Sequence, residues 1–156
     1  MSLTAKTLKY QESIKIELEG VIDESTDFSK VLASMEGQVV VIDCEKVKKI
    51  NSSGVKSWIN FFQEFNKKNT VKLVKLSIVL VEQLNSVMNF ACGAEIESIF
   101  VPYVCQDCGK ESSHLMDVSF LRKMTTLSEA PCPHCEGGHA EFDDLPEEFF
   151  SFLEFN

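Results

Sequence analysis

VVVIDCEKVKKINSSGVKSW, residues 39–58, joins an apolar run to an amphipathic one through a small polar cluster. The first part, QVVVID at 38–43, is a continuous apolar run and predicts a strand covered on both faces. After Asn51, Ser52, Ser53 and Gly54 come Val55, Trp58, Ile59, Phe62 and Phe65, one face of a helix over residues 53–66. The cluster lies eight residues beyond the apolar run. Ser52 or Ser53 is placed to accept a hydrogen bond from a free N–H of the first helical turn, and Gly54 lets another surface come close. Two readings follow from these residues. One is a capped helix. The other is a phosphoacceptor, where a phosphate gains the helix N-terminus but adds negative charge to a surface.

Outward from this stretch, strand and helix signals alternate. TLKYQESIKIELEGVID carries Ile14, Ile16 and Leu18 between charged residues, and Gly20 is expected to break the run. STDFSKVLASMEG puts Phe28, Val31, Leu32 and Met35 at helical spacing, predicting a helix over 26–36 that Ser25 or Thr26 caps and Gly37 ends. LSIVLV, residues 76–81, reads as a second buried strand. EQLNSVMNFACG places Leu84, Val87, Met88 and Ala91 on one face of a helix over 83–92, closed by Gly93, and IESIFVPYV returns to strand. The order β-β-α-β-α-β-α-β implies right-handed crossovers and a mainly parallel sheet, an α/β fold.

The chain has 156 residues, 44% of them hydrophobic, and a net charge of −9. No apolar run approaches the ~20 residues of a membrane span, and MSLTAKTLKYQES lacks the apolar stretch of a secretory signal. A cytoplasmic protein without membrane insertion is expected. The charge is uneven: residues 1–104 carry 12 Lys/Arg against 13 Asp/Glu, and residues 105–156 carry 3 against 11. An acidic second part argues against docking on nucleic acid, which needs clustered Lys/Arg.

The element order, GVID at 20–23 and INSSGVKSW at 50–58 resemble a STAS domain, the fold of bacterial anti-sigma factor antagonists. The resemblance covers roughly residues 8–101, within an expected first domain of residues 1–101. Gly20 and Asp23 match the family's Gly-x-hydrophobic-Asp. Asn51–Gly54 match its Asp-Ser-Ser/Thr-Gly loop, with Asn51 where the family usually has Asp. The resemblance implies a partner-binding face built from Asn51, Ser52, Ser53, Gly54 and the helix after them. It also implies Ser52 as the residue a partner kinase phosphorylates.

CQDC at 105–108 and CPHC at 132–135 are two C-x-x-C pairs separated by 23 residues. Six cysteines in a cytosolic chain point to metal or free thiols rather than disulfides. Four thiolates from Cys105, Cys108, Cys132 and Cys135 suit a closed tetrahedral zinc site, whereas catalytic zinc keeps an open position. This part resembles a zinc ribbon over residues 102–142, with LMDVSFLRKMTTL supplying a strand-like stretch between the knuckles. His114, His134 and His139 read as bystanders, with His139 the first candidate for a substitute ligand. Cys44 and Cys92 read as buried core thiols.

The second domain, residues 102–156, ends in EFDDLPEEFFSFLEFN, which carries Phe142, Phe149, Phe150, Phe152 and Phe155. Pro146 suits the first turn of a helix that puts Phe149, Phe150 and Leu153 on one face. That face either packs on the protein itself or docks in a basic, apolar groove. The sequence has no nucleophile–base pair and no G-x-x-x-x-G-K phosphate loop. The expected function is a non-enzymatic regulatory module of the anti-sigma factor antagonist type. Its partner is an anti-sigma-type kinase or another signalling protein. The alternative is a constitutive scaffolding subunit with the same surface and no phosphorylation.

Overall fold

The computed structural model describes residues 2–154, so Phe155 lies outside the described residues. Five strands form the first sheet in the order β1 (Thr4–Lys9), β2 (Ile14–Ile22), β3 (Val39–Ile50), β4 (Thr70–Val74) and β5 (Glu95–Ile96). β1 and β2 form an antiparallel hairpin, and the three pairings from β2 to β5 are parallel. The sheet is therefore mixed. A two-residue turn can only reverse the chain, and Gln11–Glu12 is such a turn, closed by Tyr10 N–H to Ser13 O at 2.8 Å.

β3 is central, but only one of its faces is fully covered. Val40 and Ile42 are wholly buried, whereas Val39 is 38% exposed. On the less covered face Asp43 sits between Lys15 and Lys75, 3.5 and 3.7 Å away. β3 also runs much further than its apolar half, to Ile50, because β2 continues beside it through two register shifts. Gly20 sits at one of them, at φ 125°, where a Cβ would collide with Ser2 O. The glycine thus permits the strand to go on rather than ending it.

The helices depart from the sequence reading in instructive ways. α1 (Phe28–Val31) is one turn, capped by Asp27 rather than by Ser25 or Thr26. Residues 33–38 do not continue it. The Asn69 side chain holds them, accepting from Gln38 N–H at 3.0 Å and donating to Met35 O and Phe65 O at 3.1 Å each. α2 (Ser52–Lys68) buries Trp58, Phe62 and Phe65 on one face. Trp58 is 1% exposed, stacks on Phe90 at 5.0 Å and donates its indole N–H to Phe90 O.

LSIVLV is not a strand. The strand is the preceding TVKLV, and α3 spans Ile78–Ser86, earlier than the predicted 83–92. Lys75 ends β4 with a left-handed φ of 52°, its N–H taken by Ser98 Oγ at 2.8 Å. A continuous apolar run carries no period, so buried strand and buried helix look alike. After α3, residues 88–93 form turns.

A second, antiparallel sheet has the order β7 (Glu111–Asp117), β6 (Ser98–Cys105), β9 (His139–Phe142), β8 (Ala130–Pro131). A parallel bridge from Leu76 to Ile99 joins it to the end of β4. The boundary expected between residues 101 and 102 falls inside β6. One hydrophobic cluster holds residues from both sides of it. The stretch between the knuckles is strand only as far as Asp117. α4 (Val118–Lys123) follows, burying Val118 and Leu121.

The tail packs on the chain itself. α5 (Pro146–Phe149) and a 3-10 turn at Ser151–Glu154 bury Phe149 and Phe152, whereas Phe150 and Leu153 are half-buried. Asn85 of α3 fixes both pieces, donating to Phe149 O at 2.8 Å and accepting from Phe152 N–H at 2.9 Å. No helix among the described residues is long and apolar enough to cross a membrane.

Replacing Asn69 by Ala removes the partner of the Gln38 N–H and of two carbonyls. Equilibrium urea unfolding followed by circular dichroism should show a loss of about 1–3 kcal/mol. A change within about 0.5 kcal/mol would mean that water replaces the amide at no net cost.

Candidate functional site

Asn51 follows β3 directly and is the N-cap of α2. Its side-chain oxygen accepts the Gly54 N–H at 2.8 Å. The sequence reading gave this role to Ser52 or Ser53. Asn51 takes it because the strand runs to Ile50, which brings the extended cap residue one place earlier. Its Nδ2 donates to Glu24 Oε2 at 2.8 Å, and its backbone N–H bonds Ile22 O at 3.2 Å. An amide can accept on one side and donate on the other, and a carboxylate can do only the first. The Glu24 contact was not read from the sequence, because 27 residues separate the two partners.

Gly54 is buried, and Asn51, Ser52 and Ser53 are exposed. A Cβ on Gly54 would land on the carbonyl of Ile22. The close approach allowed by this glycine is thus to the end of β2, within the chain. Asp23, next in sequence, accepts from both the N–H and the hydroxyl of Ser25 at 2.9 and 2.6 Å. Those bonds, the hydroxyl's first, hold its carboxyl below the ordinary value. The first turn of α2, which carries Ser52 and Ser53, therefore stands on a fixed base. With Asn51 as the cap, neither serine is needed to start the helix.

The four cysteines form the second constellation. β6 delivers Cys105, the turn after it Cys108, and the loop between β8 and β9 delivers Cys132 and Cys135. Their sulfurs all lie within 4.8 Å of one another and are placed to hold a metal ion. Cys105 Sγ is 3.7 Å from Cys135 Sγ, and Cys108 Sγ is 3.7 Å from Cys132 Sγ. Each knuckle turns its backbone toward its first sulfur. Cys108 N–H and Asp107 N–H point at Cys105 Sγ, and His134 N–H points at Cys132 Sγ, all at 3.3 Å.

The electrostatics of this cluster are consistent with a bound cation. The N–H groups of Cys108 and Asp107 lower the Cys105 thiol to about 6. Its hydrogen bond to Cys105, with burial and the other two sulfurs, raises Cys135 to about 12. Four thiolates cannot share this space unless positive charge is among them. Gly138 is part of the arrangement. A Cβ there would overlap Cys135 Sγ and come within 3.0 Å of Cys105 Sγ. The C-x-x-C spacing did not point to Gly138.

The histidines stand outside the cluster. His134 directs its ring Nε2 to Glu111 O at 3.0 Å, bracing the edge of β7. His139 is paired with Asp107 at 3.8 Å, and His114 packs on Tyr103. The other two thiols differ from each other. Cys44 is wholly buried, which pushes its thiol far up, and Cys92 is half-buried with a smaller rise from the same cause.

Compared with protein families, curated proteins and solved structures, the chain matches none.

Two pairs of substitutions separate the roles of these residues. Asn51→Ala should cost about 0.5–2 kcal/mol as a lost cap, and Ser52→Ala should stay within about 0.5 kcal/mol, both by denaturant titration. Gly54→Ala should cost about 1–3 kcal/mol through overpacking. Gly138→Ala should weaken metal retention against a chelator while the α2 region stays folded. Equal retention by Gly138→Ala would show that the knuckles can spread to admit a methyl group.

Proposed function

We propose that the chain is a non-enzymatic bacterial regulatory module of the anti-sigma factor antagonist type. It binds a protein partner through the first turn of α2, and a zinc ion holds its C-terminal part. The observation that carries the partner-binding reading is the exposed pair Ser52 and Ser53 at the start of a long helix whose cap is another residue, Asn51. A hydroxyl free of structural duty is available for modification. A phosphate on it would meet open N–H groups of α2, so the fold tolerates the charge. A docked partner would not, since it meets roughly −1.5 to −2 new charges at the interface.

The alternative, a constitutive surface without phosphorylation, draws on Asn51 itself. Its amide is committed on both sides, to Gly54 and to Glu24. An Asp in its place would keep the cap but face the Glu24 carboxylate.

Zinc is the metal this donor set favours. Four thiolates about 2.3 Å from one ion sit about 3.8 Å apart in a tetrahedron, and two of the sulfur pairs here are 3.7 Å apart. When bound, zinc supplies a cross-link between the two knuckles and the positive charge that lets all four thiols ionise. Cys105, Cys108, Cys132 and Cys135 would hold it and leave no open position, so its place is structural.

Two measurements test the proposal. Elemental analysis of purified protein should give about one zinc per chain, and a folded C-terminal part with no metal would overturn that half. For the other half, protein captured from native cells should be resolved on a phosphate-affinity gel and its partner identified by mass spectrometry. Calorimetry with that partner should then show Ser52→Ala binding like the parent and Ser52→Asp or Ser53→Arg binding at least ~10-fold more weakly, a loss of about 1.4 kcal/mol. Parent-like binding by both charged variants would reduce the first turn of α2 to a plain helix start. A phosphate-free Ser52 with intact binding would favour the constitutive reading.

A further inference from the structure

The four sulfurs are not equivalent. Cys105 is 2% exposed and lies with Cys135 beneath the backbone of Gly138. Cys108 is exposed, and its Sγ is 3.7 Å from that of Cys132, which is half-buried. Cys108 is the one exposed cysteine of the four, Cys132 and Cys135 are both half-buried, and each 3.7 Å pair crosses from one knuckle to the other. A sulfur attacked from solvent would therefore find its nearest resolving thiol across the knuckles, at Cys132. Its sequence neighbour at the other end of the same C-x-x-C is Cys105, the most buried of the four, which accepts two N–H groups where Cys132 accepts one, from His134.

We propose that Cys108 and Cys132 are a site of two-electron oxidation by peroxide-class oxidants. Oxidation there replaces the metal cross-link with a covalent one between the same two knuckles. The inference rests on the zinc reading above. In the first step the Cys108 thiolate attacks a peroxide oxygen. An S–O bond forms, the O–O bond breaks, and hydroxide leaves. In the second the Cys132 thiolate attacks the sulfenic sulfur. An S–S bond forms, the S–O bond breaks, and a second hydroxide leaves. Two thiolates have lost two electrons in total, and one peroxide has gained them. The sulfurs so consumed no longer bind metal, which leaves Cys105 and Cys135 as the only donors of the set. The hairpin stays closed, because the new bond spans the loop the metal spanned.

The experiment uses the full chain as purified. Zinc is counted first, by a chromophoric chelator after denaturation. Hydrogen peroxide is then added to native protein in the presence of the chelator, and disulfides are mapped by mass spectrometry of peptides made without reduction. The expected result is release of the bound zinc together with a Cys108–Cys132 bridge. A Cys44→Ser, Cys92→Ser double variant should release zinc at the parent rate, and Cys108→Ala should not form the bridge. Zinc that is present and retained overturns the proposal and leaves the zinc reading standing, as does a bridge within either C-x-x-C pair. Absence of zinc in the first count overturns the zinc reading, and this proposal with it.

Discussion

A single strand joins the two halves of the molecule. Along β6, Ile99, Val101 and Tyr103 point into the common core, and the next residue in that row is Cys105. The two-residue period of a strand thus carries the packing of the α/β core directly into the first thiol of the cysteine cluster. The position of the first knuckle is set by the register of β6. A slip of one residue would turn all of these side chains to the other face. The second knuckle is then brought to the first by β9, which pairs with the last three residues of the same strand.

The same economy holds at the other end of the first sheet. β2 and β3 finish side by side at Ile22 and Ile50, and α2 starts two residues later, after its cap Asn51. Ile22 O receives the Asn51 N–H on one side and faces Gly54 on the other. A carbonyl at a strand end would otherwise need water or a side chain. Here it positions the first turn of a helix, so the orientation of α2 and its aromatic face follows from the end of the sheet. The aromatic cluster of Phe28, Trp58, Phe61, Phe62, Phe65 and Phe90 forms on that face.

What could be read from the sequence was what has a period or a fixed spacing. The α2 face of Trp58, Phe62 and Phe65 was legible because apolar residues recur at helical intervals. The four cysteines were legible because C-x-x-C is a local signal. The end of β4 was not, since LSIVLV is apolar throughout and the feature that stops the strand is a backbone angle at Lys75. The short α1 was misread because Asn69, far along the chain, takes over the residues that would have extended it. Asn51 was passed over as the cap because it follows charged residues that do not look like strand. Those residues are strand only through pairing with β2. Phe152, and not Phe150, fills the core because the chain bends into a 3-10 turn on the amide of Asn85, a partner 67 residues away.

The chain has one tryptophan, and its ring lies flat against Phe90 in the core with its N–H bound. It is therefore a built-in optical reporter for one half of the molecule. Indole emission follows the polarity around the ring, so it will shift to the red when α2 leaves the sheet. Loosening at the cysteines need not register in it. The four-cysteine cluster offers a separate signal, since cobalt bound there would give visible bands. A single sample thus offers two independent colours, one for each part, with no label attached. Whether the two halves melt together or in sequence becomes a question for a spectrometer.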